Sequence, residues 1–260
     1  MAILNQIIER TRADLSVRQA AVPVEALQER AKHQAPPRPF AQALRRSGQI
    51  TCISEVKRRS PSAGWIRETA DAVDVARRYQ AGGAAAISVL TDQPFFGGTL
   101  DDLVQVKAAV DLPILRKDFM IDPYQVVEAR AFGADAILLI VAALPDATIS
   151  QLLAQAHDLK MDVLVETHDE AEIARALSVG ASLIGINHRD LRTFAMDMDL
   201  AVRMRSKIPN DRILVAESGL KTSADVARMK AGGIDAVLVG EGLMRQQDPG
   251  QALRQLLEAA

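Results

Sequence analysis

The sequence has little cysteine, little net charge and no long apolar run, and each shortage excludes a class of protein. Its single cysteine, Cys52, rules out an intrachain disulfide, which fits a reducing compartment and also a secreted protein without bridges. The formal net charge of -2 gives no electrostatic reason to expect nucleic acid or an anionic membrane as a partner. Because no run of about 18 apolar residues is present, we expect no membrane-spanning helix.

Signals for targeting and for metal binding are missing as well. The N-terminus has no short apolar segment ending in a small-residue cleavage site, and Glu9 and Asp14 interrupt its Arg-rich start. We therefore expect a cytoplasmic protein. None of the four histidines pairs with Cys52 at a spacing typical of a metal site, so the sequence calls for no metal. Cys52 itself lies in an apolar run, which favours a place in the core over a nucleophilic role.

Residues 1–48 differ in pattern from the rest of the chain. Apolar side chains recur there at helical spacing, and a proline-rich segment follows them. These apolar residues are Ile3, Leu4, Ile7, Ile8 and Leu15. The pattern predicts an N-terminal helical extension over residues 1–48 that packs on the main domain through its apolar stripe. Residues 49–260 are then expected to form a single catalytic domain.

From residue 50 onward, short apolar runs alternate with amphipathic helical stretches. The apolar runs are Ile50–Val56, Ala85–Leu90, Pro113–Arg116, Ala136–Val141, Asp162–Val165, Leu183–Asn187, Ile213–Ala216 and Ala236–Val239. Strands this uniformly apolar are expected where both faces of a parallel sheet are buried. Eight strand–helix units predict an α/β fold, a single (β/α)8 TIM barrel that follows the helical extension. An open doubly wound sheet is disfavoured because no G-x-G-x-x-G follows the first strand.

Polar residues stand at the ends of most of the predicted strands, which is where barrels of this kind carry out chemistry. In chain order they are Glu55, Lys57, Lys117, Glu166, Asn187, Arg189 and Glu217. A single charged pair is readily explained as an ion pair at the barrel rim. Three carboxylates and two lysines at one mouth instead shift one another's pKa values, as acid–base catalysis requires.

Small residues follow the seventh and eighth predicted strands, in Ser218-Gly219 and in Gly240-Glu241-Gly242. Barrels often bind phosphate at this place through backbone N–H groups. Either cluster alone is more typical of a turn, but two clusters at neighbouring strand ends favour a phosphate site. Arg189 and Lys57 are the candidates for its positive charge. We therefore expect a phosphorylated small molecule as the partner of this protein.

Five segments, in order along the chain, resemble the signatures of indole-3-glycerol-phosphate synthases. They are Glu55-Val56-Lys57-Arg58-Arg59-Ser60-Pro61-Ser62-Ala63-Gly64, Leu115-Arg116-Lys117-Asp118-Phe119, Val165-Glu166-Thr167-His168, Gly185-Ile186-Asn187-His188-Arg189-Asp190-Leu191 and Ala216-Glu217-Ser218-Gly219. The N-terminal stretch around Ile3 and Ile7 also resembles that family's helical extension, which lies across the barrel mouth. The likeness covers essentially the whole chain. One departure is Glu241, which stands where many members have serine, so that only its backbone N–H is expected to contact an anion.

The resemblance implies one reaction, the conversion of 1-(2-carboxyphenylamino)-1-deoxyribulose 5-phosphate to indole-3-glycerol phosphate in tryptophan biosynthesis. In this lyase reaction a ring closes, CO2 is lost in a decarboxylation, and water is released. The carbonyl that the aromatic carbon attacks needs a proton, and Lys117 is the expected general acid. Glu166 is the expected acid–base group of the dehydration. We expect no cofactor, because rearomatisation to the indole drives the decarboxylation.

The same resemblance implies supporting roles for other residues. Glu55 and Lys57 would share in the proton transfers, and Asn187 and Glu217 would position the sugar hydroxyls. The aromatic ring of the substrate needs an apolar wall, for which the candidates are Leu90, Phe96, Phe119 and Leu139. Ser60 lies in the loop after the first strand, a place where barrel loops often close over substrate.

Three alternatives stay open from the residues alone. A Schiff-base aldolase would use Lys57 or Lys117 on the same fold. A related phosphosugar isomerase is disfavoured by the Glu-x-Lys motif, since those enzymes rely on a Cys or Asp acid–base pair. A non-catalytic phosphate-binding barrel leaves the ionisable groups of the first, third and fifth strands unexplained. The oligomeric state is also open, and a monomer is compatible with the sequence.

Overall fold

The expected barrel is present in the computed structural model, which describes residues 3–46, 48–190 and 195–258. Leu191, part of the sixth-strand motif, lies outside these residues. Eight parallel strands pair in a closed ring. Within the described residues the strands are β1 (Thr51–Val56), β2 (Arg59–Ser60), β3 (Gly64–Trp65), β4 (Ala86–Leu90), β5 (Ile114–Lys117), β6 (Ala136–Ile140), β7 (Asp162–Thr167), β8 (Leu183–Asn187), β9 (Ile213–Glu217) and β10 (Ala236–Val239).

The barrel strands run in the order β1-β10-β9-β8-β7-β6-β5-β4 around the ring. They coincide with the apolar runs of the sequence, with ends displaced by at most two residues. An antiparallel hairpin of β2 and β3 stands apart from the barrel, in the loop that follows β1. The sequence predicted a loop there but no hairpin, because paired segments of two residues leave no periodic pattern.

Helices separate the barrel strands and cover the outside of the ring. Within the described residues they are α1 (Ile3–Ala21), α2 (Val24–Lys32), α3 (Phe40–Leu44), α4 (Ala72–Gly82), α5 (Gln93–Phe96), α6 (Leu100–Ala109), α7 (Pro123–Ala131), α8 (Asp146–Asp158), α9 (Glu170–Ser178), α10 (Leu200–Met204), α11 (Ser223–Ala231), α12 (Glu241–Met244) and α13 (Pro249–Leu257). Short 3-10 helices lie at Val141–Ala143 and Arg205–Lys207. None of the helices in the described part of the chain is long and apolar enough to cross a membrane.

Side chains alternate between two apolar layers along each barrel strand, because successive residues of a strand point to opposite faces. In β6, Ile137 and Leu139 pack in the layer between sheet and helices, whereas Leu138 and Ile140 belong to the cluster inside the barrel. Cys52 is fully buried in the outer layer, and burial raises the pKa of its thiol to about 12. The expectation that Cys52 is a core residue is therefore confirmed.

The helices before β1 dock on the side of the barrel. Leu15 of α1 and Leu27 of α2 are buried against Tyr124 and Val127 of α7. A charged contact supports the apolar one, since the guanidinium Nη1 of Arg18 lies 3.0 Å from Glu128 Oε2. That carboxylate also accepts from the fully buried Arg116, the neighbour of Lys117 on β5. Helix α1 is thus joined, through Glu128 of α7, to the strand that carries Lys117.

The third N-terminal helix, α3, has a different place from α1 and α2. Phe40 and Leu44 are fully buried in the cluster that fills the barrel interior. Just before them, the guanidinium of Arg38 donates to the carbonyls of Val110 and Leu112 at 2.8 Å. These contacts make α3 part of the core of the barrel, although it lies within the segment predicted to be an extension.

Candidate active site

Polar side chains converge where the barrel strands end. Glu55 comes from β1, Lys117 from β5, Glu166 from β7, Asn187 from β8 and Glu217 from β9. Each is the last or next-to-last residue of its strand, so the parallel arrangement brings all of them to the same mouth. They line one cavity of about 510 Å³. The sequence predicted this set as a group, and the structure brings its members together.

The Lys117 ammonium is at the centre of the group. Its Nζ lies 2.7 Å from Glu217 Oε2, 3.6 Å from Glu166 Oε2 and 3.9 Å from Glu55 Oε2. Burial opposes its charge, but the carboxylates of Glu217, Glu166 and Glu55 outweigh burial and hold the pKa of Lys117 above its usual range. The lysine is therefore charged at neutral pH and carries a proton it can donate.

Two of the carboxyl groups around Lys117 have opposite pKa shifts. Burial acts to raise the pKa of Glu166, but Lys117, His168 and Asn187 outweigh it and lower the pKa to about 2. Burial raises the pKa of Glu217 to about 7, with the nearby negative charge of Glu166 adding to the rise and Lys117 opposing it. Carboxyl groups whose environments separate their pKa values are suited to different roles, one as a base and one as a holder of a proton.

Lys57 is engaged with a neighbouring carboxylate on its own strand end. Its Nζ lies 2.8 Å from Glu55 Oε1, and both side chains line the cavity. Burial acts to raise the pKa of Glu55, but Lys57 and Lys117 outweigh it and lower the pKa. Lys57 therefore contacts a carboxylate in this structure, while Arg189 lines the cavity from the end of β8.

Ser218 and Gly219 form a sharp turn directly after β9. Ser218 has a φ of 69° and Gly219 a φ of 79°, in the left-handed region that favours glycine. A non-glycine residue held there stores strain, and such residues cluster at binding sites. A side chain on Gly219 would collide with Met196 and Met198. The positive φ favours glycine at this place, and the turn borders the cavity.

Gly240 and Glu241 form the neighbouring border of the cavity, at the end of β10, which pairs with β9. The carboxylate Oε1 of Glu241 accepts from Arg245 Nη2 at 2.8 Å and from its Nε at 3.0 Å, one turn further along the chain. A side chain on Gly240 would collide with the carboxylate of Glu55. Glu55 therefore occupies the space that the missing side chain of Gly240 leaves.

The apolar wall of the cavity differs by one residue from the prediction. Leu90, Phe96 and Phe119 line it, and the rings of Phe96 and Phe119 have centroids 5.9 Å apart. Leu139 was wrongly assigned to this wall, because it points outward into the layer beneath the helices. Its neighbours Leu138 and Ile140 line the cavity instead. The error has a simple cause, since a shift of one residue along a strand exchanges its two faces.

The N-terminus and the hairpin loop complete the cavity. Ile3, Leu4 and Ile7 of α1 line it, which places the start of the helical extension against the barrel mouth. Ser60 of β2 also lines it, and its Oγ accepts from the backbone N–H of Ala63 at 3.2 Å. The Ser60 hydroxyl thus has a contact within its own loop in addition to its place on the cavity wall.

Sequence reasoning gave no role to two residues that shape the group of charges. The ring nitrogens of His168 lie between Glu166 and Glu172. The sequence indicated His168 only as the last residue of the motif Val165-Glu166-Thr167-His168. Gly185, inside β8, leaves room for the Glu217 carboxylate, with which a side chain would collide. The available signals were a histidine two residues beyond a candidate base and a glycine inside an apolar strand.

Within residues 3–46, 48–190 and 195–258, no group of three His, Cys, Asp or Glu side chains is arranged to hold a metal ion. The carboxylates at the mouth face Lys57, Lys117 and His168. The arrangement provides a proton donor, an ionised carboxylate and a second carboxyl with a raised pKa beside an aromatic wall. Fold and site together define a (β/α)8-barrel enzyme whose ionisable side chains, suited to acid–base chemistry, lie at the C-terminal mouth of its barrel.

Comparison with known sequences gives the particular family. The profile of the family described as indole-3-glycerol phosphate synthase matches residues 4–256. The protein of that name from Rhodopirellula baltica is 50% identical, covering 99% of both chains. The one from Rhodospirillum rubrum is 49% identical and covers 98% of both chains. The chain belongs to the indole-3-glycerol phosphate synthase family.

Comparison with solved structures supports the fold alone. Thiamine phosphate pyrophosphorylase from Pyrococcus furiosus superposes with a TM-score of 0.61 at 17% identity, over 80% of this chain and 94% of its own. A Streptococcus mutans protein described as KGPDC superposes with a TM-score of 0.62 at 13% identity, over 81% of this chain and 97% of its own. At such identities the likeness shows the barrel fold alone.

Proposed function

We propose that this protein converts 1-(2-carboxyphenylamino)-1-deoxyribulose 5-phosphate to indole-3-glycerol phosphate, and that it is a carboxy-lyase that needs no cofactor. The observation that carries the proposal is the Lys117 ammonium, which faces three carboxylates beside the aromatic wall of one cavity. Membership of the family supports the same activity. The small net charge gives no electrostatic reason to expect nucleic acid or membrane partners, and the proposed enzyme acts in the cytoplasm on a small molecule.

Ring closure needs a proton at the ketone oxygen. The aromatic carbon that bears the carboxylate forms a bond to the ketone carbon, and the carbonyl electrons move to oxygen. Lys117 donates its proton to that oxygen, which stabilises the charge that develops there. Loss of CO2 then returns the electron pair of the broken bond to the ring system. No redox step occurs, so the sequence of bonds balances without an added reactant.

Dehydration needs a second proton and a base. Lys117, once reprotonated, donates a proton to the new hydroxyl, the C–O bond breaks and water leaves, and removal of a proton from the new ring restores aromaticity. Glu166 takes this proton, because its low pKa keeps it ionised and ready to accept. Glu217, 2.7 Å from Lys117 and with a pKa raised to about 7, restores the proton that the lysine has given away. The role in positioning sugar hydroxyls then falls to Asn187, beside Glu166.

Phosphate is anchored at the other side of the cavity. The turn at Ser218 and Gly219 and the small residue Gly240 leave the backbone accessible, as phosphate binding at barrel mouths requires. Arg189 contributes the positive charge. Glu241 takes part through its backbone, since its carboxylate is paired with Arg245. Phe96, Phe119 and Leu90 then face the aromatic ring of the substrate, with Ser60 at the rim.

The charge state of Lys117 also separates this proposal from a Schiff-base aldolase. An imine-forming lysine must lose its proton to attack a carbonyl, which requires a lowered pKa. The three carboxylates instead hold the pKa of Lys117 above its usual range. Lys57 Nζ lies 2.8 Å from Glu55 Oε1 and is engaged in that ion pair. The charged state of Lys117 therefore disfavours imine chemistry at this residue.

One experiment tests the proposed activity against this rival. The purified chain is mixed with the carboxyphenylamino ribulose phosphate, and indole absorbance is followed at neutral pH with and without cyanoborohydride, which reduces imines but spares the ketone of the substrate. We expect the indole product to appear at the same rate in both, and the intact mass of the protein to be unchanged. Cyanoborohydride-dependent inactivation with a mass increase on Lys57 or Lys117 would support the aldolase instead.

A further inference from the structure

A histidine without an assigned role lies between two carboxylates behind the proposed base. His168 Nε2 is 3.3 Å from Glu166 Oε1, and its Nδ1 is 3.0 Å from Glu172 Oε2. The side chain of His168 is 7% exposed and that of Glu166 is 3% exposed, whereas Glu172 is 16% exposed. The three side chains form a row from the buried mouth of the barrel towards its surface.

The residues between the end of β7 and the first turn of α9 place His168 and Glu172 in this row. His168 follows the end of β7, and Asp169 begins α9 by accepting from the backbone N–H of Glu172 at 2.8 Å. Glu172 is thereby placed four residues after His168, and its Oε2 accepts from the backbone N–H of His168 at 2.8 Å. The same oxygen faces the imidazole. Backbone and side chain of His168 are thus held by one carboxylate.

Each ring nitrogen of His168 faces a carboxylate oxygen, and each contact is most favourable when that nitrogen carries a proton. A neutral imidazole has one N–H and one lone pair, whereas an imidazolium has two N–H groups. Nδ1 is hydrogen-bonded to Glu172 Oε2, whereas Nε2 lies 3.3 Å from Glu166 Oε1 as an ion-pair contact without hydrogen-bond geometry. A ring that carries a positive charge is favoured by both contacts. Burial opposes the charge, but Glu166 and Glu172 outweigh it and raise the pKa of His168 to about 10. Geometry and charge therefore agree on a cation.

The other polar and charged groups around Glu166 show how His168 affects the charge of this carboxylate. Asn187 Nδ2 donates to Glu166 Oε1 at 3.0 Å, the same oxygen that faces His168. Lys117 faces the other oxygen at 3.6 Å from β5. Glu55 on β1 and Glu217 on β9 add negative charge and oppose the ionised form of Glu166. When Lys117 gives up its proton, His168 is the cation still in contact with Glu166.

We propose that His168, fixed as an imidazolium by Glu172, is a positioning residue that keeps Glu166 ionised and oriented as the base while Lys117 donates its proton. This inference rests on the proposed function, because it assigns Glu166 the base role in that reaction. His168 acts through Glu166 and has no contact with substrate in the proposal. Glu172 also holds the imidazole ring of His168 in a single orientation.

The pH dependence of turnover separates this role from a merely structural one. We expect His168→Gln to move the acid limb of the kcat/KM profile upward by at least one pH unit, because the base loses a neighbouring cation. At the wild-type optimum we expect kcat to fall at least about tenfold, with KM changed less than about threefold. His168→Lys restores a cation and should return the acid limb towards its wild-type position.

A matched pair on α9 controls for general damage. Glu172→Gln should shift the acid limb in the same direction as His168→Gln but less far. Glu170→Gln removes a carboxylate on the same helix that pairs with Lys207 on the surface at 2.9 Å, and it should leave the profile unchanged. An unshifted acid limb in folded His168→Gln would overturn the proposal, as would an equal shift in Glu170→Gln.

A second measurement does not depend on turnover. The chain has four histidines, so 15N imidazole spectra of the wild type and of His168→Gln assign the signal of His168 directly. We expect both nitrogens to be protonated at pH 8. A neutral ring at pH 8 overturns the proposal even if indole is formed. If no indole is formed while the ring is a cation, the proposed function fails and the charged contact to Glu166 stands.

Discussion

At the scale of single residues, the charge of Lys117 is balanced by three acidic neighbours, and in the proposed reaction Lys117 is the general acid. We expect Lys117→Met to lower kcat by at least 100-fold, about 2.7 kcal/mol at 1.36 kcal/mol per tenfold, because the ketone oxygen loses its proton donor. Steady-state kinetics on the carboxyphenylamino ribulose phosphate give this number. More than about a tenth of wild-type kcat would remove Lys117 from the role of general acid.

A second paired lysine, far from the mouth, provides the control for that variant. Lys107 Nζ lies 2.6 Å from the fully buried Asp135, in a contact outside the cavity. Breaking either buried pair costs about 3–5 kcal/mol of folding free energy. We therefore expect Lys107→Met to lower the melting temperature as Lys117→Met does, while its kcat stays at the wild-type value.

Gly240 connects the anion site with the catalytic group. An alanine methyl at this place would lie 3.0 Å from Glu55 Cβ and 3.1 Å from its Cδ, besides colliding with the carboxylate. Glu55 must then move, and with it the charge that faces Lys57 and Lys117. We expect Gly240→Ala to lower kcat at least about tenfold as well as raising KM. A rise in KM with kcat intact would mean that the glycine serves the anion alone.

The residue scale also shows what a sequence can and cannot predict. Glu55, Lys117, Glu166, Asn187 and Glu217 were predicted to meet because each ends a strand of one parallel barrel, which is a matter of topology. Which face a residue occupies inside an apolar run carries no such signal. All residues of β6 are apolar and buried, so their types do not distinguish the two faces of the strand. Leu139 was assigned to the cavity wall for that reason.

At the scale of elements, the N-terminal helices divide into two parts with different contacts. Helices α1 and α2 pack on α7, and α1 reaches the cavity through Ile3, Leu4 and Ile7. Helix α3 instead contributes Phe40 and Leu44 to the barrel interior. We therefore propose that the separable extension ends before residue 38 and not at residue 48. The sequence could not indicate this, because five residues of helix are too short for a periodic pattern.

Two truncations test that division. Deleting residues 1–33 should leave a cooperatively folded barrel with a higher KM, because the cavity loses part of its wall. Deleting residues 1–45 removes Phe40 and Leu44 as well, at about 3–5 kcal/mol for a buried aromatic and about 2–5 kcal/mol for a leucine. We expect this longer deletion to abolish cooperative unfolding followed by circular dichroism. A folded protein after the longer deletion would restore the boundary at residue 48.

At the scale of the whole molecule, eight repeated strand–helix units made the barrel predictable. The protonation states of the charged groups inside it, and their effect on the free energy of unfolding, required the folded structure. The strands were predictable because each is buried on both sides and so is apolar throughout. The protonation states were not predictable, because they depend on distances between residues far apart in the chain, such as Lys117 and Glu217.

The pH dependence of folding free energy follows from one of those states. The pKa of His168 is about 10 in the folded protein against an ordinary 6.5, despite burial, because of Glu166 and Glu172. Its contribution to stability is therefore fully present below pH 6.5 and is lost as pH rises to 10. Urea unfolding of wild type and His168→Gln should show a stability difference that shrinks across this interval. The effect of Cys52 above pH 9 is common to both proteins and cancels. A difference that grows with pH would contradict the charged histidine.

The most direct test of the central claim is the stoichiometry of the reaction itself. Substrate labelled with 13C in its carboxyl group is incubated with the purified chain in the presence of a metal chelator, and CO2 and indole are measured together. The account predicts one CO2 and one indole-3-glycerol phosphate for every substrate consumed, at a rate that the chelator does not change. Substrate consumed without release of labelled CO2, or without an indole product, would contradict it.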